Sequence, residues 1–319
     1  MLPRVAAAWG DDARARCVAC HAPKHGGDDG IGCVACHSAV GNTAERDGRL
    51  VVDTSAPISG PFADSRATPA HGARTYELLE SPVLCGTCHE VTGPGLFTEP
   101  TLTEHRASPA ARVGIGCASC HMPELAPAPI ATGVDLARRR ADHGFVGLDP
   151  PWGASAEEAA RAAERSRQLL ASALTLDAHA RGDGIDVSLR ADLAGHAIPT
   201  GASFLRRMWV DVDFSDASGT TVSALGVIEL GAQPRYRGAK IALVTDADAV
   251  EARSLAPGET RTVHVVIPPA PATALVRATI RLSARAVSDE VLEALGLTSR
   301  SAEVPILVAA TIEVPLSPR

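Results

Sequence analysis

The pentapeptide Cys-x-x-Cys-His occurs four times in this sequence, and all eight cysteines of the 319-residue chain lie in these copies. Two thiols separated by two residues match the spacing of the porphyrin vinyl groups. The histidine that follows at once can bind the iron, so the motif is the attachment site of c-type haem. The attachment residues are Cys17, Cys20, Cys33, Cys36, Cys85, Cys88, Cys117 and Cys120, and the adjacent iron ligands are His21, His37, His89 and His121.

Zinc and disulfides are the competing interpretations of paired cysteines. A structural zinc site does not require a histidine immediately after every Cys-x-x-Cys pair, whereas all four pairs have one here. A redox-active Cys-x-x-Cys site does not require it either. No cysteine lies outside the motifs to build a disulfide framework. We therefore expect four covalently bound c-type haems.

Composition and charge make some kinds of partner unlikely. The net charge is −7, with no basic run interleaved with aromatic residues, which argues against a nucleic-acid partner. Aromatic residues make up only 3% of the chain, so porphyrins would supply the apolar bulk that rings usually provide. No stretch approaches the run of about 20 apolar residues that a transmembrane helix needs.

The sequence predicts a multidomain fold. Residues 1–150 hold every motif and are rich in turn residues, as expected of a haem-scaffolded N-terminal domain with short helices and loops. The segment Gly30-Ile-Gly-Cys33 is repeated as Gly114-Ile-Gly-Cys117, and each copy follows a more isolated motif. We infer a duplication that gives two dihaem units, at residues 17–37 and 85–121.

The remaining sequence changes its period. Residues 151–182 are predicted to hold a bridging α-helix, from Ala156 to about Leu174, which Ser155 and Glu158 begin as a capping box. From residue 183 to 319, apolar and polar residues alternate in several segments that turn signals separate. This pattern predicts a C-terminal all-β sandwich of about seven strands.

The four irons also need distal ligands. Outside the motifs the chain has seven histidines, whereas its methionines number three, and one of these is Met1. Bis-His coordination is therefore expected, and the absence of methionine ligation favours low reduction potentials. We expect His71, His143 and His196 to be distal ligands, whereas His25 is balanced between a ligand and a surface residue.

The other three histidines are expected to have structural roles. His105 is predicted to lie on a helix surface. His179 is predicted to cap the C-terminal end of the bridging helix. His264 alternates with two valines and is expected to face solvent from a strand.

Several segments together resemble one known group. They are the four motifs, Leu84–Glu90, Gly114–Pro123, His143-Gly-Phe145 and the loop Gly195-His196-Ala-Ile-Pro199-Thr200-Gly201. The sequence resembles multihaem c-type cytochromes of the cytochrome c554 type. It is most similar to tetrahaem members with a C-terminal β-sandwich, some of which polymerise into extracellular cytochrome nanowires. The resemblance extends from Cys17 to about Val212.

This resemblance implies closely spaced bis-His haems with His71, His143 and His196 as distal ligands. It also implies that a distal histidine can come from upstream of the first motif or from a neighbouring subunit. The position of His105 often holds an aromatic residue in such proteins, which counts against it as a ligand. Whether this chain forms a homopolymer is left open.

Two functions follow from these observations. The first is electron transfer as a periplasmic or extracellular protein, with redox proteins such as other cytochromes as partners. The alternative is a multihaem oxidoreductase that acts on a small nitrogen or sulfur compound at one open iron, with His25 or His105 as an acid–base group. A redox or gas sensor ranks third, because no signalling domain accompanies the motifs.

The N-terminus bears on localisation. Haem is attached to c-type cytochromes outside the cytoplasm, so a secretory signal is expected. Residues 1–12 contain a short alanine-rich stretch, but neither an adequate hydrophobic region nor a cleavage site. We expect the true start to lie upstream, in a segment that can carry the signal and a haem ligand.

Overall fold

The structure, a computed structural model, describes residues 2–23, 30–65, 67–129, 137–269 and 275–316. His25, one of the predicted ligands, lies outside these ranges. The α-helices in the described ranges are α1 Leu2–Trp9, α2 Asp11–His21, α3 Cys33–His37, α4 Pro82–Gly86, α5 Thr101–Ala107, α6 Pro109–Arg112, α7 Cys117–His121, α8 Ala156–Ala173 and α9 Asp289–Ala294. Short 3-10 helices are Glu77–Leu79, Val244–Asp246 and Thr298–Glu303.

The region that carries the motifs has little regular structure beyond short helices and two-stranded ladders. Its strands are β1 Ala39–Asn42, β2 Leu50–Val52, β3 Ile58–Gly60, β4 Ala73–Thr75, β5 Val91–Thr92, β6 Thr98–Glu99, β7 Glu124–Pro129 and β8 Ala137–Ala141. They form four two-stranded ladders, in which β1 pairs with β2, β3 with β4, β5 with β6 and β7 with β8. Such ladders bury little apolar area, so this region depends on other groups for its core.

The predicted repeat has the same backbone in both copies. Gly30 and Gly114 have φ of 63° and 78°, in the left-handed region that glycine adopts without strain. Gly32 and Gly116 then have extended conformations, with φ/ψ of −85°/173° and −91°/176°, and each precedes a one-turn helix that starts at the first motif cysteine. The Gly-Ile-Gly sequence therefore encodes one local structure, used twice.

Helix α8 confirms the predicted helix and its capping box. Ser155 Oγ accepts from the Glu158 amide, and the Glu158 carboxylate accepts from the Ser155 amide. The helix ends at Ala173, and residues 175–181 form a strand. The sequence had suggested that His179 caps the helix. It lies instead on that strand. The strand forms because a second strand begins at residue 184 and pairs with it in an antiparallel ladder.

The C-terminal strands form three antiparallel sheets. Their bounds are β9 Thr175–Arg181, β10 Gly184–Arg190, β11 Arg207–Asp216, β12 Thr221–Leu230, β13 Ala232–Tyr236, β14 Ala239–Lys240, β15 Ala249–Ala252, β16 Thr260–Val266, β17 Leu275–Arg285 and β18 Leu307–Pro315. The strand orders are β16-β10-β9, β12-β11-β17-β18 and β14-β13-β15. The sequence predicted about seven strands, and the short strands β13–β15 account for most of the excess.

One hydrophobic core joins the first two of these sheets. The predicted alternation is confirmed on the central strands, whose inward side chains are at most 1% exposed. Helix α8 adds Leu170 to the same core. Inward residues from both sheets are Ile185, Val187, Leu189, Val210, Val212, Phe214, Ala278, Ile280, Leu282 and Ala284. In the described ranges, no helix is long and apolar enough to cross a membrane.

A cluster of charged side chains lies on the outer face of the three-stranded sheet β16-β10-β9. His264 lies opposite Asp186 in the ladder, with Nδ1 at 2.6 Å from Asp186 Oδ1 and Nε2 at 3.1 Å from Asp183 Oδ1. Arg181 also donates to Asp186, at 2.8 Å. Hydrogen bonds to Asp186 and then Asp183 raise the pKa of His264 above its usual value. The protonated ring thus links two carboxylates.

We predict that the Ile280→Val substitution lowers the free energy of unfolding by about 0.5–1.5 kcal/mol, because it removes a methylene from a fully buried site. The matched control is Ile306→Val, at a side chain that is 55% exposed, where the change should stay within about 0.5 kcal/mol. Denaturant unfolding of the holoprotein measures both. Equal effects at the two positions would contradict the assignment of the core.

We predict that the His264→Gln substitution destabilises the protein in a pH-dependent manner. The folded pKa of His264 is raised. Its stabilising effect is therefore complete below the unfolded value of about 6.5 and is lost as pH rises through the folded pKa. Urea midpoints of wild type and variant, measured between about pH 5 and 9, should converge at the alkaline end. A difference that does not change with pH would refute the role of the protonated ring.

Candidate haem-binding centre

The four motifs lie next to one another. The Cys88 thiol donates to Cys20 of the first motif, and this contact lowers the pKa of Cys20 to about 7. The Cys85 thiol donates likewise to Cys117 of the fourth motif, which lowers the pKa of Cys117 to about 6. Cys36 of the second motif is within electrostatic range of both Cys85 and Cys88. The third motif therefore lies at the centre of the set.

Three of the motif histidines have one ring nitrogen fixed. Nδ1 lies 2.7 Å from the Ser59 carbonyl in His37 and 2.6 Å from the Val146 carbonyl in His121. In His89, Nδ1 lies 2.5 Å from Glu99 Oε1. A ring that donates from Nδ1 presents the lone pair of Nε2, which is the usual arrangement of a histidine that binds a metal.

Two motif histidines each face a second imidazole. The ring centroids of His37 and His143 are 6.1 Å apart, with an interplanar angle of 28°. Those of His121 and His196 are 5.9 Å apart, at 15°. The second imidazoles are also fixed through Nδ1, at 2.9 Å from the carbonyls of Ala141 and Ala197, respectively.

This spacing fits a single iron between each pair of rings. Two imidazoles that bind one metal ion, each at about 2.0 Å through a ring nitrogen, have centroids roughly 6 Å apart. The two cysteines of each of these motifs lie in the same one-turn helix as its histidine. The donor set therefore fits c-type haem, and His143 and His196 lie opposite the histidines of the second and fourth motifs.

The segment 142–147, the His143 loop, is held by the long helix. Arg165 of α8 forms an ion pair with Asp142 at 2.8 Å, and the Ser166 hydroxyl donates to the Gly147 carbonyl. The Asp142 carboxylate also accepts from the Gly144 amide at 2.8 Å. The same loop supplies the Val146 carbonyl to His121, so one segment orients a histidine of each imidazole pair.

The segment 195–201, the His196 loop, is held from both sides. On the motif side, Glu104 of α5 accepts from the Ala197 amide at 3.1 Å and from the Thr200 hydroxyl at 2.6 Å. On the β side, the amides and carbonyls of Ile198 and Leu255 pair at 2.8 and 2.9 Å. The loop thus connects the two parts of the chain and places His196 opposite His121.

Burial lowers the pKa of His196, and the nearby His121 lowers it further. The imidazole is therefore held neutral, the form in which histidine binds a metal. Burial likewise raises the pKa of Glu104, although its hydrogen bonds to Thr200 and Ala197 oppose this effect.

Three further histidines were considered in the sequence as ligands or acid–base groups: His71, His25 and His105. His71 is exposed, with Nδ1 at 3.0 Å from the Gly72 carbonyl, and its role as a ligand stays a prediction. His25 lies outside the described residues. His105 is on a helix as predicted, but it is only 7% exposed and is not on the surface. Its helix packs between the third motif and the His196 loop, and this packing covers the imidazole ring.

Glu99, Glu104 and Arg165 are the site residues that sequence reasoning missed. Each acts on a histidine or a histidine-bearing loop outside its own element, from 10 residues away for Glu99 and His89 to 96 for Glu104 and Thr200. No local pattern marks such a residue. The one available signal was the adjacency of Glu104 to His105, which gave no indication of its partner.

Among solved structures, the chain is similar to a penta-haem cytochrome c552 from Thermochromatium tepidum, with a TM-score of 0.65 and 20% sequence identity. The match covers 94% of this chain and 83% of that chain. No protein-family model and no curated protein matches the sequence. The likeness shows that the two chains share a fold, which here combines short helices with many strands in small sheets, as the prediction of a multidomain fold had it in part. The neighbour is described with five haems, whereas this sequence has four motifs.

We predict that the Glu104→Ala substitution lowers the free energy of unfolding of the holoprotein by about 1–3 kcal/mol, because it leaves the Ala197 amide and the Thr200 hydroxyl without their acceptor. Glu104→Gln should recover part of this loss, since its carbonyl oxygen can still accept. The control is Glu157→Ala on α8, whose side chain is 81% exposed and whose loss should cost less than about 0.5 kcal/mol. Equal losses for the two alanine variants would show that Glu104 does not hold the loop.

Proposed function

We propose that this protein is a multihaem c-type cytochrome that carries electrons through four covalently bound bis-His haems. The observation that carries the proposal is the pairing of imidazoles at about 6 Å, His37 with His143 and His121 with His196. If each pair holds one haem iron, His37 with His143 and His121 with His196 would fill the ligand positions of two irons and leave neither open to a substrate. When bound, the haems supply one-electron chemistry at iron.

The contacts between motifs support a continuous path. Cys20 of the first motif lies near Cys88 of the third, and Cys85 of the third lies near Cys117 of the fourth. Haems attached to neighbouring cysteines would themselves be neighbours. Because electron transfer requires closely spaced centres, this arrangement suits a conduit better than four independent sites.

The side chains around the irons also set their electronic properties. Histidine on both sides favours lower potentials than His/Met coordination. Met208, a methionine that could compete, is fully buried in the β-core and is not available to an iron. The carbonyl partners of His37, His121, His143 and His196 increase the basicity of those ligands.

The C-terminal part serves chiefly as a scaffold in this proposal. We take its two core-sharing sheets as the predicted β-sandwich, and the His196 loop that extends from it completes one iron site. The negative net charge would steer association with a redox protein that has a basic docking surface. We place the protein in the periplasm or outside the cell, where c-type haem is attached.

Carbon monoxide binding to the reduced holoprotein tests the proposal. We predict no change in the visible spectrum on addition of the gas, because six-coordinate bis-His irons offer it no position. Mass spectrometry of the denatured protein should show the mass of four haems on the chain. An unfolded sample at neutral pH, in which distal ligands are released, is the positive control for binding.

Binding of carbon monoxide by one haem in four would contradict the proposal. It would favour the alternative, an oxidoreductase with one open iron. Turnover of nitrite or hydroxylamine by the same preparation would then establish that activity.

A further inference from the structure

His105 is a buried histidine that the two imidazole pairs do not use. It lies on α5, is 7% exposed, and has Nδ1 at 3.2 Å from the Gly195 carbonyl. Since the carbonyl can only accept, Nδ1 carries the proton and Nε2 presents its lone pair. Among the described contacts no hydrogen bond to Nε2 is seen, so this nitrogen is open to a ligand.

The same hydrogen bond marks both observed distal imidazoles. His143 and His196 each have Nδ1 on a backbone carbonyl, as His105 does. The two histidines of the β-sheets differ from this pattern. His264 has carboxylates on both ring nitrogens, and His179 has Nε2 at 3.9 Å from Asp186. His105 therefore has the environment of a ligand and lacks that of a charged surface residue.

The position of α5 indicates which iron His105 would bind. Leu102, three residues earlier, packs on the third motif so closely that a Cβ on Gly86 would lie 2.4 Å from Leu102 Cδ2. The Leu102 amide donates to the His89 carbonyl at 3.3 Å. His105 is also in electrostatic range of Cys117, which contacts Cys85 of the third motif. In the described part of the chain, an opposed imidazole is seen for His37 and His121 but not for His21 or His89, and of these last two it is His89 whose motif α5 contacts.

We propose that His105 is the distal axial ligand of the iron bound by the third motif, opposite His89. The inference rests on the proposed function, since it assumes that the motifs carry haem. It differs from the expectation that His105 is structural. Together with His143 and His196, it assigns a distal ligand to three of the four motifs, and the ligand opposite His21 stays a prediction.

The test is the electron paramagnetic resonance spectrum of the oxidised full-length holoprotein with His105→Gly. We expect wild type to show four low-spin signals, and the variant to lose one of the four and gain a high-spin signal. Added imidazole should restore the low-spin signal by filling the vacated position. The matched control is His179→Gly, which removes an exposed imidazole and should leave all four signals unchanged.

A second variant covers the case in which His105→Gly does not fold. His105→Met keeps a ligand at the position, so it should retain four low-spin irons, show the charge-transfer band of methionine coordination, and raise one of the four reduction potentials. A merely structural role for His105 would produce neither the band nor the shift.

The outcomes separate the two proposals. Four low-spin irons in both wild type and His105→Gly would overturn the assignment of His105 and leave the electron-transfer function standing. A high-spin iron in wild type that His105→Gly does not alter would overturn both.

Discussion

The imidazole pairs impose the strictest geometric constraint on this molecule. Each needs two rings about 6 Å apart whose nitrogens face each other, one ring from a motif and one from a distant segment. A motif histidine is positioned by its own short helix, but its partner is positioned only if a loop far along the chain is held in place. The contacts of Glu104, Arg165 and Ser166 meet that requirement.

The two loops that carry the partner imidazoles are each held in place, by different contacts. The His143 loop is fastened to α8 through Arg165 and Ser166, whereas the His196 loop is fastened to α5 through Glu104 and to the β-sheets through Leu255. Each loop also gives a carbonyl to a further histidine. Ligand orientation for several irons is thus coupled to a few shared segments, and the C-terminal sheets gain a direct role in building the centre.

Sequence alone gave the local parts of this structure. The haem motifs, the capping box of α8 and the alternation around Phe214 each depend on neighbours within a few residues, so a single sequence reveals them. Contacts over long separations were not accessible, which is why Glu104 went unnoticed and His105 was placed on the surface. His179 was misplaced for the same reason, since its strand exists only because β10 pairs with it.

The most direct test of the account is a crystal structure of the holoprotein, with the irons located by their anomalous scattering. The account predicts one iron between Nε2 of His37 and Nε2 of His143, and another between those of His121 and His196. An iron on either motif with water or an empty position opposite its motif histidine would contradict it.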